Sequence, residues 1–262
     1  MRRRAIVAIL AAAAAAVPVL AQTKAPTQAP ATPAARPSLT GSWEGYPVRG
    51  DGFGSGVQPK VKVTPPKAVP EAPLKQPYLD QWREVQKQNQ ELVRKGLPPP
   101  SSGMACMPEG VPGMMGATFP LEILETQGRV TIIEEAFNQV RRIYLNAPPV
   151  NPDDADPRYA GHSTGRWQGS TLVVTTVGIK ESVRFRGVPH SMNMRVTERL
   201  HMVSPEVLEN QVTIEDPEYL TGPWTWSWMY KRWPGYKIEE YVCDDNRYFE
   251  DPALKYQRLK VN

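Results

Sequence analysis

From residue 119 onward the chain falls into short runs in which apolar and polar residues alternate, separated by turn residues. A period of two puts successive side chains on opposite faces, so each run reads as a half-buried β-strand. Runs at 119–126 and 129–135 flank Gln127-Gly128, and 139–145 follows. Beyond a polar loop come 162–167 and 171–177, then 192–203 and 207–216 around Ser204-Pro205-Glu206. The runs 224–233 and 236–243 share a Pro234-Gly235 turn, and a run at 39–46 opens the folded part. Many short strands on tight connections predict a mainly β fold, an antiparallel barrel of roughly eight to ten strands that closes to hide its edges.

One segment breaks this period. In 78–95, Tyr78, Trp82, Val85, Asn89, Leu92 and Val93 recur at helical spacing, and Gly96 with the prolines at 98–100 ends the pattern. It predicts a single helix that packs its aromatic stripe on the barrel. The turn-rich stretch 106–115 carries Met107, Met114 and Met115, flexible side chains suited to filling one end of a core or lining a ligand mouth.

The alternation also says what points inward. On 192–203 one face carries Met192, Met194, Val196, Glu198, Leu200 and Met202, and this apolar row marks the interior. Glu198 is its odd member. A carboxylate there must be paired, hydrogen-bonded or protonated. It is either in an ion pair with an arginine such as Arg142 or Arg166, or a site carboxylate. His162 and Arg166 share one face of their strand, and His190 lies in a loop at the mouth of the next. His201 falls on the outer face. Trp224, Trp226, Trp228 and Tyr230 alternate along one strand face, as a core slab or an aromatic ligand wall. Tyr144 and Met194 join the three tryptophans as candidate ligand-facing residues.

Composition narrows the setting. Residues 1–21 have a basic start, an alanine-rich apolar stretch and small residues before Gln22, the pattern of a cleavable export signal. Residues 22–38 are rich in proline, alanine and threonine and read as a linker, leaving about 225 residues (39–262) for one β-barrel domain. The net charge is +4, but three of those positives are Arg2, Arg3 and Arg4, so four less three leaves about +1 after cleavage. No basic surface for nucleic acid is implied. No later segment is apolar enough for a transmembrane helix. The two cysteines, Cys106 and Cys243, are a disulfide candidate in an exported chain. Metal-binding, phosphate-loop and nucleophile-elbow motifs are not found, so neither a metal nor an organic cofactor is expected.

The ordered motifs are Cys-x-Pro-x-Gly-x-Pro-x-Met-Met (106–115), Glu-Ala-Phe-x-Gln-Val-Arg-Arg-Ile-Tyr (135–144) and Gly-His-Ser-x-Gly-x-Trp-x-Gly-x-Thr-Leu-Val-Val-x-Thr (161–176). Pro-His-Ser (189–191), Glu-Arg (198–199), Thr-Ile-Glu-Asp-Pro (213–217), Pro-Trp-Thr (223–225) and Glu-Tyr-Val-Cys (240–243) follow. The set resembles a widespread family of exported bacterial proteins of unknown function. Ser170 and Thr175 stand where that family often has acidic residues. The opening Gly41-Ser42-Trp43 resembles the Gly-x-Trp of lipocalin-like barrels. The resemblance implies export and a β-rich single domain but no reaction. Two functional expectations follow. The barrel binds a small, aromatic organic molecule in the periplasm or outside the cell. Alternatively, the same cavity supports a cofactor-free elimination, isomerisation or hydrolysis, with His162 or His190 as acid or base, Glu198 as partner and Arg166 holding an anionic group. A role in envelope assembly is a third possibility.

Overall fold

The computed structural model describes residues 36–50, 54–100, 106–243, 248–251 and 256–259; the expected signal and most of the expected linker lie outside the described residues. Nine strands close into a barrel in chain order: β1 (Gly41–Tyr46), β2 (Leu121–Thr126), β3 (Arg129–Glu134), β4 (Gln139–Leu145), β5 (His162–Gln168), β6 (Thr171–Val177), β7 (Arg195–Ser204), β8 (Val207–Glu215) and β9 (Trp224–Arg232). The fold is mainly β and mostly antiparallel, as the alternation predicts. The exception is β4–β5, which pair in parallel with Ile143 opposite Ser163. The connection through 146–161 crosses back over the barrel rather than turning on itself, which is why that loop is long.

The strand predicted at 236–243 does not form. The free edge of β9 is already taken by β1, with Trp43 opposite Arg232 and Tyr46 opposite Met229. After Pro234-Gly235 the chain therefore leaves the sheet and runs along the β3–β4 connection as a strap. Asn138 Nδ2 donates to Tyr241 O at 2.8 Å, and the Tyr241 ring lies 5.0 Å from that of Phe137. The Cys106–Cys243 disulfide ties the strap to the segment before β2. A separate two-stranded sheet, β10 (Tyr248–Asp251) and β11 (Tyr256–Leu259), follows it.

Closure at β1–β9 is reinforced on both faces. Trp43 is fully buried, and the Arg232 guanidinium lies 4.2 Å over its ring while donating to Thr40 O and Ser38 O. On the opposite face Glu44 and Lys231 form a buried pair at 3.3 Å, and Glu44 also accepts from the Ser55 backbone and hydroxyl. The excursion after β1 thus covers an otherwise exposed charge pair. One end of the barrel is plugged by 110–116, where Val111, Met114 and Met115 are fully buried. Gly110 begins the plug with φ +66°, and a Cβ there would stand 2.4 Å from Tyr159 O, so only glycine fits. Met114 and Met115 are core fillers, whereas Met107 is exposed.

The helix α1 (Tyr78–Arg94) forms where expected, but its packing is lighter than the stripe predicts. Tyr78, Leu79 and Trp82 pack partly against the core, whereas Val85 and Val93 are exposed. No residue of α1 is fully buried, and its contacts with the core come from Tyr78, Leu79 and Trp82 at its N-terminal end. No helix among the described residues is long and apolar enough to cross a membrane.

The disulfide spans 137 residues, a loop long enough that its removal should cost roughly 3–5 kcal/mol in the chain-entropy account. A Cys106→Ser/Cys243→Ser variant is expected to unfold at markedly lower urea concentration than wild type. Coincident unfolding midpoints for the two proteins would show that the strap contributes nothing to stability.

Candidate functional site

The barrel interior holds a buried charge pair. On β4 the inward positions are Gln139, Arg141 and Ile143, and the outward ones Val140, Arg142 and Tyr144. Arg141 is 1% exposed and meets Glu198 of β7, which is fully buried. Arg141 Nη1 donates to Glu198 Oε1 at 3.1 Å and Nη2 to Oε2, a bidentate pair. Two further donors are used: Nε donates to Ser163 Oγ at 3.1 Å and Nη2 to Thr176 Oγ1 at 2.8 Å. Asn210 Nδ2 adds a bond to Glu198 Oε1 at 2.9 Å and approaches Tyr230 Oη at 3.4 Å, and Tyr230 donates to Met115 O at 2.6 Å. Burial holds the Tyr230 hydroxyl well above its ordinary pKa, as a phenol. The expected partner for Glu198 was Arg142 or Arg166. The register of β4 instead turns Arg141 inward, and the other two arginines point away from the interior.

The four candidate acid–base residues do not converge. On β5, Ser163, Gly165 and Trp167 face the interior, so His162, Thr164 and Arg166 face outward. His162 Nε2 lies 2.8 Å from Asp156 O, and Arg166 is exposed. His190 is buried, with its ring nitrogens 2.9 Å from Ser191 O and 2.8 Å from Val183 O. A neutral imidazole donates to one of these two carbonyls, and either bond stays within the 178–194 loop. Glu198 keeps its bonds within the interior network. His201 lies on the outer face beside Glu209, as the alternation predicts. Tyr144 is about half exposed on the outer face, at 51%, and lines no interior surface, because it shares its face with Arg142.

The ligand-facing candidates on β9 and Met194, just before β7, do gather. Trp224, Trp226 and Met194 are buried, and Trp228 is half-buried. The indoles of Trp224 and Trp226 lie 4.9 Å apart, and those of Trp226 and Trp228 5.3 Å apart and edge to face. Over this row sits a residue that the periodicity does not single out. Phe185, from the 178–194 loop, stacks on Trp226 at 5.2 Å with 16° between planes, and its edge meets Trp228 at 5.5 Å. Its sequence signal is only an apolar ring between Arg184 and Arg186 in a loop without period. The space left among His190, Met194, Trp224 and Phe185 is about 10 Å³, room for about one water. Trp226 Nε1 is buried without a hydrogen-bond partner among the described residues.

Asp216 fixes the rim of this end. It accepts from Ser191 N at 2.7 Å and Ser191 Oγ at 3.0 Å, and from the backbone of Glu218 and Tyr219. Glu134, 2% exposed, stands nearby at the foot of the plug. Gln139 Nε2 donates to it at 2.6 Å and in turn accepts from Gly110 N at 3.0 Å. Burial, with the Glu109 charge beside it, pushes the Glu134 carboxyl up to about 9 from an ordinary 4.5. Glu134 is thus a neutral acid at pH 7. Among the described residues, no group of three or more His, Cys, Asp or Glu side chains is placed to hold a metal ion. The chain matches no known family model and no curated protein.

Two outcomes follow from these buried groups. Glu198→Gln leaves the Arg141 charge inside the barrel without its counterion and should cost about 3–5 kcal/mol. The double variant Arg141→Met/Glu198→Leu should recover most of that loss. A double-mutant cycle in urea that gives no coupling between the two positions would contradict the pairing. Between about pH 4.5 and 9 the folded state keeps a proton on Glu134 that the unfolded chain releases, so this group makes stability fall as pH rises through that window. Glu134→Gln should flatten that slope and raise stability at pH 8. Parallel pH–stability curves for wild type and variant would count against a protonated Glu134.

Proposed function

We propose that this chain is an exported barrel protein that holds a small, planar aromatic molecule at the end of the barrel, against the Trp224–Trp226–Trp228 row. The observation that carries this reading is Phe185, a ring supplied by a loop rather than a strand and stacked on Trp226 at 5.2 Å. An aromatic ligand would take that position, since offset stacking on indole favours flat rings. The unpartnered Trp226 Nε1 would donate to a polar atom of the ligand. Arg186 and Gly187, just after Phe185, adopt φ +54° and +75°, the turn that presents the ring to Trp226. Export is supported by the signal-like start, the proline-rich linker and the disulfide, and the motif resemblance to exported bacterial proteins points the same way. The acid–base alternative gains no support, because His162, Arg166, His190 and Glu198 lie apart with their partners already assigned.

In this reading Phe185 competes with the ligand, so apparent affinity is reduced by the fraction of molecules in which the ring stays on Trp226. Phe185→Ala should therefore bind neutral 1-naphthol about tenfold more tightly than wild type, read by quenching of tryptophan fluorescence. Adding Trp226→Leu to that variant should abolish the gain. No saturable quenching in either wild type or Phe185→Ala would refute the proposal.

A further inference from the structure

The turn that sends Phe185 inward sends Arg186 outward, into a cleft between α1 and the segment 69–72. We infer that this cleft is a second binding site, for an organic anion that joins a carboxylate to a planar ring. The cleft shares Trp224 with the end of the inner row, but its cations, Lys87 and Arg186, belong to the cleft alone.

The cleft encloses about 420 Å³, within the range of small-molecule sites. Its charge is unbalanced. Arg83, Lys87 and Arg186 line it against one acid, Glu71, which is taken by Arg83 at 2.7 Å. Two cations therefore remain without a carboxylate among the described residues. Arg186 has a single long bond, from Nη1 to Val69 O at 3.4 Å, which leaves most of its guanidinium fork for a bidentate carboxylate. The Trp82 indole borders the cleft and supplies a flat apolar surface beside the two charges.

The placement of Arg186 is built in. Its φ of +54° is uncommon for any residue but glycine, asparagine or aspartate. That conformation points its carbonyl at α1, where it accepts from Trp82 Nε1 at 3.0 Å and lies 3.5 Å from Gln86 Nε2. The next residue, Gly187, completes the turn at φ +75°, a conformation that favours glycine, beside the side chains of Gln86 and Trp82. A backbone held in a sparsely populated region to orient one cation is a pattern associated with ligand contacts. An inorganic oxyanion would fill only a small part of this volume and leave the indole unused, so the chemistry favours a ring-bearing carboxylate.

The test is calorimetric titration of the purified chain at low salt with 2-naphthoate, its neutral amide naphthalene-2-carboxamide, and inorganic phosphate. Naphthoate should bind with one-to-one stoichiometry and weaken as salt rises, with the amide about tenfold weaker. Arg186→Gly, which suits the positive φ, and Lys87→Gln should each weaken naphthoate about tenfold without lowering the melting temperature. Equal binding of acid and amide would overturn the inference, as would displacement of naphthoate by equimolar phosphate. If Phe185→Ala tightens naphthoate while Arg186→Gly leaves it unchanged, the ligand sits on the inner row and the cleft assignment is wrong.

Discussion

The buried Arg141–Glu198 pair is the constraint on which the interior depends. Two charges inside a barrel are tolerable only with close pairing and extensive hydrogen bonding, and residues from different strands supply both. Arg141 on β4 reaches Ser163 on β5, Thr176 on β6 and Glu198 on β7, and Asn210 on β8 and Tyr230 on β9 extend the chain to the plug at Met115. Six of the nine strands and one end closure are thereby tied to a single polar network. A one-residue slip of β4 would replace Arg141 with Arg142 at the centre and turn Gln139 and Ile143 outward. The pair therefore ties the register of the parallel β4–β5 junction, which no hairpin turn sets.

The consequence for function is spatial. Because the middle of the barrel is occupied by this network and by fully buried Leu, Ile and Met side chains, the interior does not offer the wide cavity of a ligand-carrying barrel. The features that suggest binding have moved to one end, where the tryptophan row, Phe185 and the 178–194 loop meet. The same loop faces α1 through Arg186. One turn of strained backbone thus separates an aromatic inner surface from a cationic outer one; His190 ties the loop to itself through Val183 O, and Asp216 holds the loop's far side to the end of β8 through Ser191.

Much of the fold was legible because period-two alternation is a local property. The bounds of β4, β6 and β8, the inward row around Glu198 and the outward position of His201 follow from it. The strand expected at 236–243 did not form, since whether β9 has a free edge depends on β1, nearly two hundred residues away in sequence. The light packing of α1 was hidden for a related reason: helical spacing identifies a face but not how far the neighbouring wall extends. The site was less legible still. Glu198 was recognisable as a buried carboxylate needing a partner, yet three arginines were available and only strand register selects Arg141. Phe185 lies in a loop, where no period distinguishes a ring that packs inward from one that faces solvent.

The sequence by itself determined a β-rich barrel with a single helix, a cysteine pair suited to a disulfide, and an interior face carrying one anomalous carboxylate, because each rests on residue type and near-neighbour spacing. The tertiary structure alone decided which arginine answers that carboxylate, that the histidines stay apart, and that an aromatic row, a loop phenylalanine and an unbalanced cationic cleft meet around one turn. Those are relations between segments distant in the chain, fixed by closure of the sheet and by the cost of leaving buried charges and polar groups unpaired.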